Sequence, residues 1–374
     1  MIYLDHGATS WPKPEAVARA ADRGLRHFAN PGRGGYPIAM EAAREIYQCR
    51  EVAGEFFSCP PEHVVLTTSC THGLNLAIRT LVKPGARVVV SGFEHNAVTR
   101  PLYGLGARVE VAGRRLFDPA DTLAAFEAVL KTHPDAAVFT HVSNVFGYIL
   151  PVEELARLCG QYEVPFILDA AQSAGSLEVN LADLGADFIA MPGHKGLQGP
   201  MGTGLLLCRY PVEPLLRGGT GSLSAQQEMP DFLPDRAEAG TANVSGFCGL
   251  RAGMEWVRRT GLQKIARREH RAAGMAAEGL KAMGLTVFSG PRQGGTVSFL
   301  PPDGDCETAA EKLAERGVCL RAGLHCAPTA HESAGTLRTG TLRLSFGPLA
   351  SFTQVRAFLR SAQSVFSSAV HSKR

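Results

Sequence analysis

The chain has 374 residues, 45% of them hydrophobic and 20% charged, with a formal net charge of +3; these are ordinary proportions for a soluble globular protein of one large unit or two packed domains. That charge is too small to argue for nucleic acid, and the densest basic cluster, Arg267, Arg268 and Arg271, reads as one solvated face of a helix. No apolar run is long enough to span a bilayer, and the opening MIYLDHGATS has neither a basic nor an apolar leader region, so no secretory signal is expected.

The first strand is predicted at Val64–Thr67, followed by a helix over Gly73–Val82. The turn between them, LTTSCTHGLN, places small polar residues at a helix N-terminus, where free backbone N–H groups suit a phosphate and Thr71 adds a hydroxyl. Taken alone, Ser69 or Thr71 reads as a plain helix cap. No Walker-type lysine follows, which argues against an ATP-binding loop.

The next strand, Arg87–Ser91, runs into SGFEHNAV. His95 there can stack on an aromatic cofactor or relay protons, or serve a structural role. Strands follow at Arg108–Val111 and Ala137–His141, separated by a helix over Asp121–Thr132. Asn144 lies just past the second strand and suits either a hydrogen bond to a ring oxygen or a turn. A helix over Val152–Tyr162 leads to the strand Phe166–Asp169. Asp169 ends that apolar run, where a carboxylate can pair with a protonated pyridine nitrogen or cap the next turn.

The strand Phe188–Met191 opens onto MPGHKGLQGPMGTG. A lysine at a strand's carboxyl end, among glycines, is placed to meet a ligand. If desolvated, its pKa falls and its amine can form an imine with an aldehyde. Alone, Lys195 would read as a surface lysine in a turn. Gly199, Gly202 and Gly204 are followed by the strand Gly204–Cys208 and not by a helix, so they are no dinucleotide fingerprint. Continuous apolar strands alternating with helices predict a mostly parallel sheet covered on both faces, with ligands at the strands' carboxyl ends.

Residues 217–235, rich in Gly, Ser and Pro, read as a long loop. Beyond about residue 245 a long helical segment (Gly246–Gly261, then Leu262–Met283) precedes short strands near Gly295–Leu300, Val318–Arg321 and Thr341–Phe346, and a helix near Phe352–Phe366. This predicts a smaller α+β domain. Within it Cys326 sits in a Gly- and Pro-punctuated loop, with His325 beside it and Arg321 nearby. Such surroundings can lower a thiol's pKa, although a lone cysteine is more often a small buried hydrophobe. Arg343 lies on a strand-like run and suits a substrate carboxylate or a surface ion pair. The nine cysteines are odd in number, scattered and without a CxxC pair, so neither a disulfide framework nor a metal site is indicated and a reducing cytoplasm fits best.

Together these stretches resemble the class V aminotransferase-fold enzymes dependent on pyridoxal 5'-phosphate, in the cysteine desulfurase and selenocysteine lyase branch. The resemblance runs from YLDHGATSWPKP through TLRLSFG and so covers nearly the whole chain. The Gly-His-Lys run ending at Lys195, the Asp-Ala-Ala-Gln run from Asp169 and the Glu-His pair ending at His95 fall in the family's order and spacing. It implies the type I fold of these enzymes: a large mixed, mostly parallel sheet with helices on both faces. Residues 15–245 would form the cofactor-binding domain. Residues 1–14 and 246–374 would form the smaller one, carrying the cysteine loop.

The resemblance also implies roles. Lys195 would carry the cofactor as a Schiff base, Asp169 pair with its ring nitrogen, Gln172 bond its ring hydroxyl oxygen and His95 stack on its face. Cys70, Thr71 and His194 would serve the phosphate, and Asn144 the cofactor or substrate. Thr241 matches a position that reaches the partner subunit's phosphate, which implies a homodimer with active sites at the interface. Arg343, with Arg321 and Asn144, would bind the amino acid, and Cys326 would take its sulfur as a persulfide. Pro192, His72 and Leu324 depart from the family pattern, where a serine, a glutamate and a histidine are common.

The activity implied is conversion of L-cysteine to L-alanine, with a sulfur-acceptor protein downstream and neither membrane nor nucleic acid as partner. The alternatives are a selenocysteine lyase, another β-lyase or a class V aminotransferase acting on a small amino acid. A fold kept only for binding is the further alternative, against which Lys195, Asp169 and Cys326 all count.

Overall fold

The computed structural model describes residues 1–32 and 34–371, with side chains through residue 366. The chain opens with β1 (Ile2–Tyr3), α1 (Glu15–His27) and α2 (Pro37–Phe57). A run of alternating elements follows: β2 (Val64–Thr67), α3 (Cys70–Leu81), β3 (Arg87–Ser91), α4 (Asn96–Gly104), β4 (Arg108–Ala112), α5 (Pro119–Leu130), β5 (Ala136–Thr140), α6 (Val152–Gln161), β6 (Phe166–Asp169), α7 (Leu181–Leu184), β7 (Phe188–Pro192) and β8 (Gly204–Cys208). After a long irregular stretch come α8 (Val244–Thr260), α9 (Leu262–Ala282), β9 (Thr286–Phe288), β10 (Thr296–Leu300), α10 (Cys306–Ala314), β11 (Val318–Cys319), β12 (Arg321–Gly323), α11 (Pro328–Ser333), β13 (Thr341–Ser345) and α12 (Phe352–His371).

The large sheet has seven strands in the order β2-β8-β7-β6-β5-β3-β4. β8 is antiparallel to both neighbours and the remaining pairs are parallel, as the expected mixed sheet requires. Strands β2, β5, β6, β7 and β8 are mostly apolar and buried at every position because both faces of the sheet are covered, whereas the edge strand β4 carries Arg108 and Glu110 and is mostly not buried. Val89, Phe139 and Leu168 point into one core with Phe57, Phe126, Leu155 and Leu250. Val88, Val90, Val138 and Ile167 point into the other with Leu74, Ile78, Val98 and Leu102. This two-residue alternation follows from the pleat of the strand.

The smaller sheet, β12-β13-β10-β9, is antiparallel and packs under α9, α10 and α12 around Phe299, Leu342, Leu344 and Phe358. Phe247, Leu250 and Met254 of α8 pack instead with the core of the large sheet. The N-terminal segment joins the smaller body: β1 pairs with β11, and Asp5 bridges to Ser345 at the end of β13.

The predicted strands of the large sheet agree with those observed to within one or two residues. Six helices were not predicted: α1, α2, α4, α7, α10 and α11. α4 carries Pro101 inside it, which breaks the pattern by which a helix is read, and α7, α10 and α11 are short, at four, nine and six residues. α3 starts at Cys70, three residues earlier than expected, because the Ser69 hydroxyl accepts a hydrogen bond from the His72 amide and caps the helix there. Among the described residues no helix is long and apolar enough to cross a membrane.

Candidate active site

The carboxyl ends of β5, β6 and β7 converge on a cavity of about 310 Å³. Thr140 pairs in register with Asp169, so the ends of β5 and β6 lie level. Past β7 the chain turns through Gly193 and His194 and presents Lys195 to the cavity. The N-terminus of α3 enters with Cys70 and Thr71, and that of α4 with His95. The smaller body contributes Arg321, His325, Cys326 and Arg343. The structure thus brings the chemistry-bearing residues of seven separate stretches to one place. Gly204 permits part of this approach: a Cβ there would lie 2.7 Å from the Ser69 carbonyl carbon.

Asp169 is buried, and its Oδ1 accepts from the Ala171 amide at 2.8 Å and from the Cys70 thiol at 3.5 Å. Those bonds fix the carboxylate's direction. Burial, and then the charge of Asp169, push the Cys70 thiol well up, so it stays protonated and donates. Among the described residues the Lys195 amine has no carboxylate within ion-pair distance. Burial lowers its pKa, offset in part by Cys70 and Asp169, so the neutral amine is more accessible than for a free lysine. The amides of Cys70 and Thr71, in the first turn of α3, have no acceptor among the described residues. They form the open anion-binding end of a twelve-residue helix.

His95 Nδ1 accepts from the Ala97 amide at 3.0 Å, so the ring caps α4 and its orientation is set by the backbone. Burial holds its pKa below the usual value. Gln172 Nε2 donates to the Gly7 carbonyl at 3.0 Å. The His194 carbonyl accepts from Lys13 Nζ at 2.6 Å and from Thr9 Oγ1 and Ser10 Oγ at 3.1 Å each. The polar stretch after β1 therefore braces the Lys195 turn. Sequence reasoning named none of its residues, although the density of polar and proline residues in DHGATSWPKP was the available signal. Thr241 is exposed and does not line the cavity of its own chain.

The Cys326 loop is pinned at two consecutive carbonyls. Asn144 Nδ2 donates to His325 O at 2.8 Å, and the Asn96 amide donates to Cys326 O at 2.7 Å. Both loop residues have left-handed backbones, with φ of 50° and 56°. Cys326 is exposed, while His325 is buried beneath it. His325 Nε2 lies 3.1 Å from the Thr341 carbonyl, which can only accept, so Nε2 carries the proton and donates. Burial first, then the charge of Arg343, push its pKa down to about 2.

His325 is accordingly neutral and lends no positive charge to the thiol, contrary to the expectation from sequence. Arg321 is also engaged: its Nη2 and Nε donate to Asp5 Oδ2 at 3.0 and 3.2 Å. Arg343, 3% exposed, donates through Nη2 to Asp5 Oδ1 at 2.7 Å and through Nη1 to the Asn144 carbonyl at 3.1 Å. Its Nε is buried with no hydrogen-bond partner among the described residues. Asp5, which sequence reasoning did not single out, thus sits between the two arginines.

A second cavity, of about 300 Å³, shares Lys195 and Gln172 with the first and extends between the two bodies toward Glu269 and His270 of α9. The first cavity alone collects an amine, an oriented carboxylate, open helix amides, a guanidinium and an exposed thiol. Such a set can hold an anionic aromatic aldehyde and an amino acid together.

The chain matches the family model of the class-V aminotransferases over residues 2–358. It is 33% identical over 358 residues to a probable cysteine desulfurase of Methanothermobacter thermautotrophicus, covering 90% of this chain and 89% of that one. It is 34% identical over 381 residues to a probable cysteine desulfurase of Pyrococcus abyssi, covering 96% and 92%. Among solved structures it superposes on a cysteine desulfurase of Thermococcus onnurineus with a TM-score of 0.90 at 31% identity, covering 98% of this chain and 95% of that one.

Proposed function

The chain belongs to the class-V aminotransferase family, and from that premise we propose that it is a pyridoxal-phosphate-dependent cysteine desulfurase, converting L-cysteine to L-alanine and taking the sulfur onto Cys326. The observation that carries this reading is a single cavity holding Lys195, Asp169, the open amides of α3 and the tethered Cys326 thiol. The relatives named above as cysteine desulfurases support the substrate.

Enzymes of this family depend on pyridoxal phosphate, and the residues present fit it. Lys195 is the attachment point for the aldehyde. Asp169, directed by Ala171 and Cys70, suits a protonated ring nitrogen. The free amides of Cys70 and Thr71, with His194, suit the phosphate. His95, braced as a cap, suits the ring face; Gln172 and Asn144 suit its polar edge. Pro192 carries no hydroxyl where relatives commonly have serine, so the backbone amides of α3 bear more of the phosphate. Thr241 of a second copy would complete that site, which makes a homodimer part of the proposal.

When bound, the cofactor supplies an electron sink for charge left at the substrate's α-carbon. Arg343 holds the α-carboxylate and fixes the amino acid's orientation. The Lys195 amine, its pKa lowered by burial, takes the α-proton and later returns one. Cys326 Sγ, as thiolate, attacks the substrate sulfur. The S–S bond forms as the carbon–sulfur bond breaks, the electrons of that bond stay with carbon, which a proton completes to alanine, and Cys326 is left as a persulfide. The tether of His325 and Cys326 keeps the thiol over the cavity. A downstream acceptor protein would then remove the sulfur, and the nine unpaired cysteines suit a reducing cytoplasm. In this reading residues 15–245 bind the cofactor, with α8 packed onto their core, and residues 1–14 with those following α8 form the smaller domain that carries the Cys326 loop.

The test is sulfide and alanine production from L-cysteine by the cofactor-loaded protein with a reductant, beside rates on selenocysteine and cysteine sulfinate. Equal release of sulfide and alanine is expected, lost in Cys326→Ser. Normal desulfuration of cysteine by Cys326→Ser would overturn the role of Cys326. Preference for selenocysteine with little dependence on Cys326 would move the assignment to a selenocysteine lyase. Keto-acid formation would move it to a transaminase.

A further inference from the structure

One backbone carbonyl, that of His194, accepts four hydrogen bonds from a single short stretch. The Ser10 amide, Ser10 Oγ and Thr9 Oγ1 donate at 3.1 Å each, and Lys13 Nζ donates at 2.6 Å. Lys13 Nζ also donates to Ser10 Oγ at 2.6 Å, so ammonium, hydroxyl and carbonyl form a closed triangle. The carbonyl belongs to the peptide that links His194 to Lys195. On its far side Lys195 is held within its own turn: its carbonyl accepts from the Gln198 amide at 2.9 Å and from Gln198 Nε2 at 3.2 Å. On its near side the hold comes from residues 9–13, with Lys13 separated from His194 by 181 positions in sequence. Three of the four donors are neutral and Lys13 is not. It is half-buried and has no carboxylate within ion-pair distance among the described residues. Burial lowers its pKa to about 8, which leaves it charged at neutral pH. A neutral donor would serve to close the turn. A charged one makes a shorter and stronger bond to the same oxygen.

We infer that Lys13 is a positioning residue for Lys195: its charged bond to the His194 carbonyl keeps the Lys195 amine in place during the part of the cycle in which that amine is not covalently held. The inference rests on the reading of Lys195 as cofactor attachment point and base. At rest the link to the cofactor itself fixes the Lys195 side chain. Once an amino acid has taken over that link, the amine is free and must reach the α-proton from a position set by its backbone alone. Rotation of the His194–Lys195 peptide would carry the whole side chain with it. A misplacement of about 1 Å at such a step costs on the order of a hundredfold in rate. Lys13 does not line the cavity. Capture of the substrate carboxylate by Arg343 therefore does not depend on it, and the effect of Lys13 falls on the proton-transfer step and not on substrate binding.

The test compares wild type, Lys13→Met and Lys13→Arg as cofactor-loaded proteins at pH 7. Exchange of the α-proton of L-alanine for deuterium, followed by NMR, reports Lys195 as a base and needs neither Cys326 nor desulfuration. Steady-state rates on L-cysteine, calorimetric binding of L-alanine and the melting temperatures of the cofactor-free proteins accompany it. Lys13→Met should slow both α-exchange and kcat on cysteine roughly tenfold or more. KM and the alanine dissociation constant should stay within about twofold, and the cofactor-free variant should melt like cofactor-free wild type. Lys13→Arg, which keeps a charged donor, should regain most of the exchange rate. Exchange by Lys13→Met at the wild-type rate would overturn the inference. So would a loss that Lys13→Arg does not relieve and that comes with weaker alanine binding and a lower melting temperature, which would leave Lys13 a structural brace. A wild-type protein that exchanges the alanine α-proton but releases no sulfide from cysteine would count against the desulfurase reading. In that case the exchange rates of the two variants still decide the role of Lys13.

Discussion

The carbonyl oxygen of Cys326 accepts a hydrogen bond from the backbone amide of Asn96 at 2.7 Å, while the carbonyl just before it accepts from the Asn144 side chain at 2.8 Å. The smaller body's cysteine loop is thereby tied to two strand-end turns of the large sheet, those after β3 and β5. Both loop residues hold left-handed backbones, which cost L-residues of order 1–2 kcal/mol each. The tethers are what offset that cost. Asn144→Ala removes one of them, worth about 1 kcal/mol. Sulfur transfer to Cys326 should slow several-fold. Rapid-quench measurement of persulfide formation checks this. A variant that forms persulfide at the wild-type rate would show that the Asn96 contact alone places the loop.

Cys326 is the exposed cysteine of the chain; Cys319 is half-buried and the other seven are buried. Burial pushes the Cys49 and Cys159 thiols up to about 12, and those of Cys59, Cys248 and Cys306 up to about 11. Thiolate is the reactive form, so these stay inert near neutral pH. Iodoacetamide at pH 8 should label one cysteine rapidly, identified by peptide mass as Cys326, and Cys326→Ser should remove the fast phase. Persistence of that phase would place the reactive thiol elsewhere.

The end of this cavity that holds Asp169 and Lys195 was legible in the sequence because its cues are local. Asp169 and Lys195 each follow a continuous apolar run, and such a run in a parallel sheet predicts where the chain emerges at the ligand-binding edge. At the other end Arg343 and Arg321 were also named from the sequence, but their link to Asp5 was not legible, because it joins residues 338 positions apart: Asp5 meets Arg343 only through the pairing of the N-terminal segment with the smaller sheet. The neutrality of His325 was hidden for a related reason. Proximity in sequence suggested a charge beside the thiol, whereas burial, which is a tertiary property, removes it. His95 was read as a ring beside a ligand, and its capping bond to Ala97 emerged only with α4, a helix masked by its internal Pro101.

Arg50 on α2 and Glu238, three residues before Thr241, form a bidentate pair with both bonds at 2.7 Å and side-chain exposures of 7% and 18%. Glu238 Oε1 also accepts from the Leu66 amide at 2.6 Å. This fixes the stretch that leads to Thr241 against β2. Removing one partner of such a buried pair costs roughly 3–5 kcal/mol, since the other charge is left uncompensated. Arg50→Ala should therefore lower the unfolding temperature clearly. Arg50→Lys should recover only part of it, lacking the planar fork. Thermal unfolding followed by circular dichroism measures both, and an unchanged midpoint in Arg50→Ala would contradict the assignment.

Glu269 on α9 lines the second cavity and has no hydrogen-bond or ion-pair partner among the described residues. Burial raises its carboxyl from 4.5 to about 8. The folded state thus binds this proton more tightly than the unfolded chain does. The resulting stability is fully present below about pH 4.5 and is lost as the pH rises toward 8. Glu269→Gln keeps the shape and removes the titration. The two proteins should melt alike near pH 4.5, and the variant should melt at progressively higher temperature than wild type from pH 5 to pH 8. A series of unfolding midpoints across that range tests the sign directly: a difference that stays constant with pH would mean that this carboxyl titrates normally and that the cavity is wetter than its lining suggests.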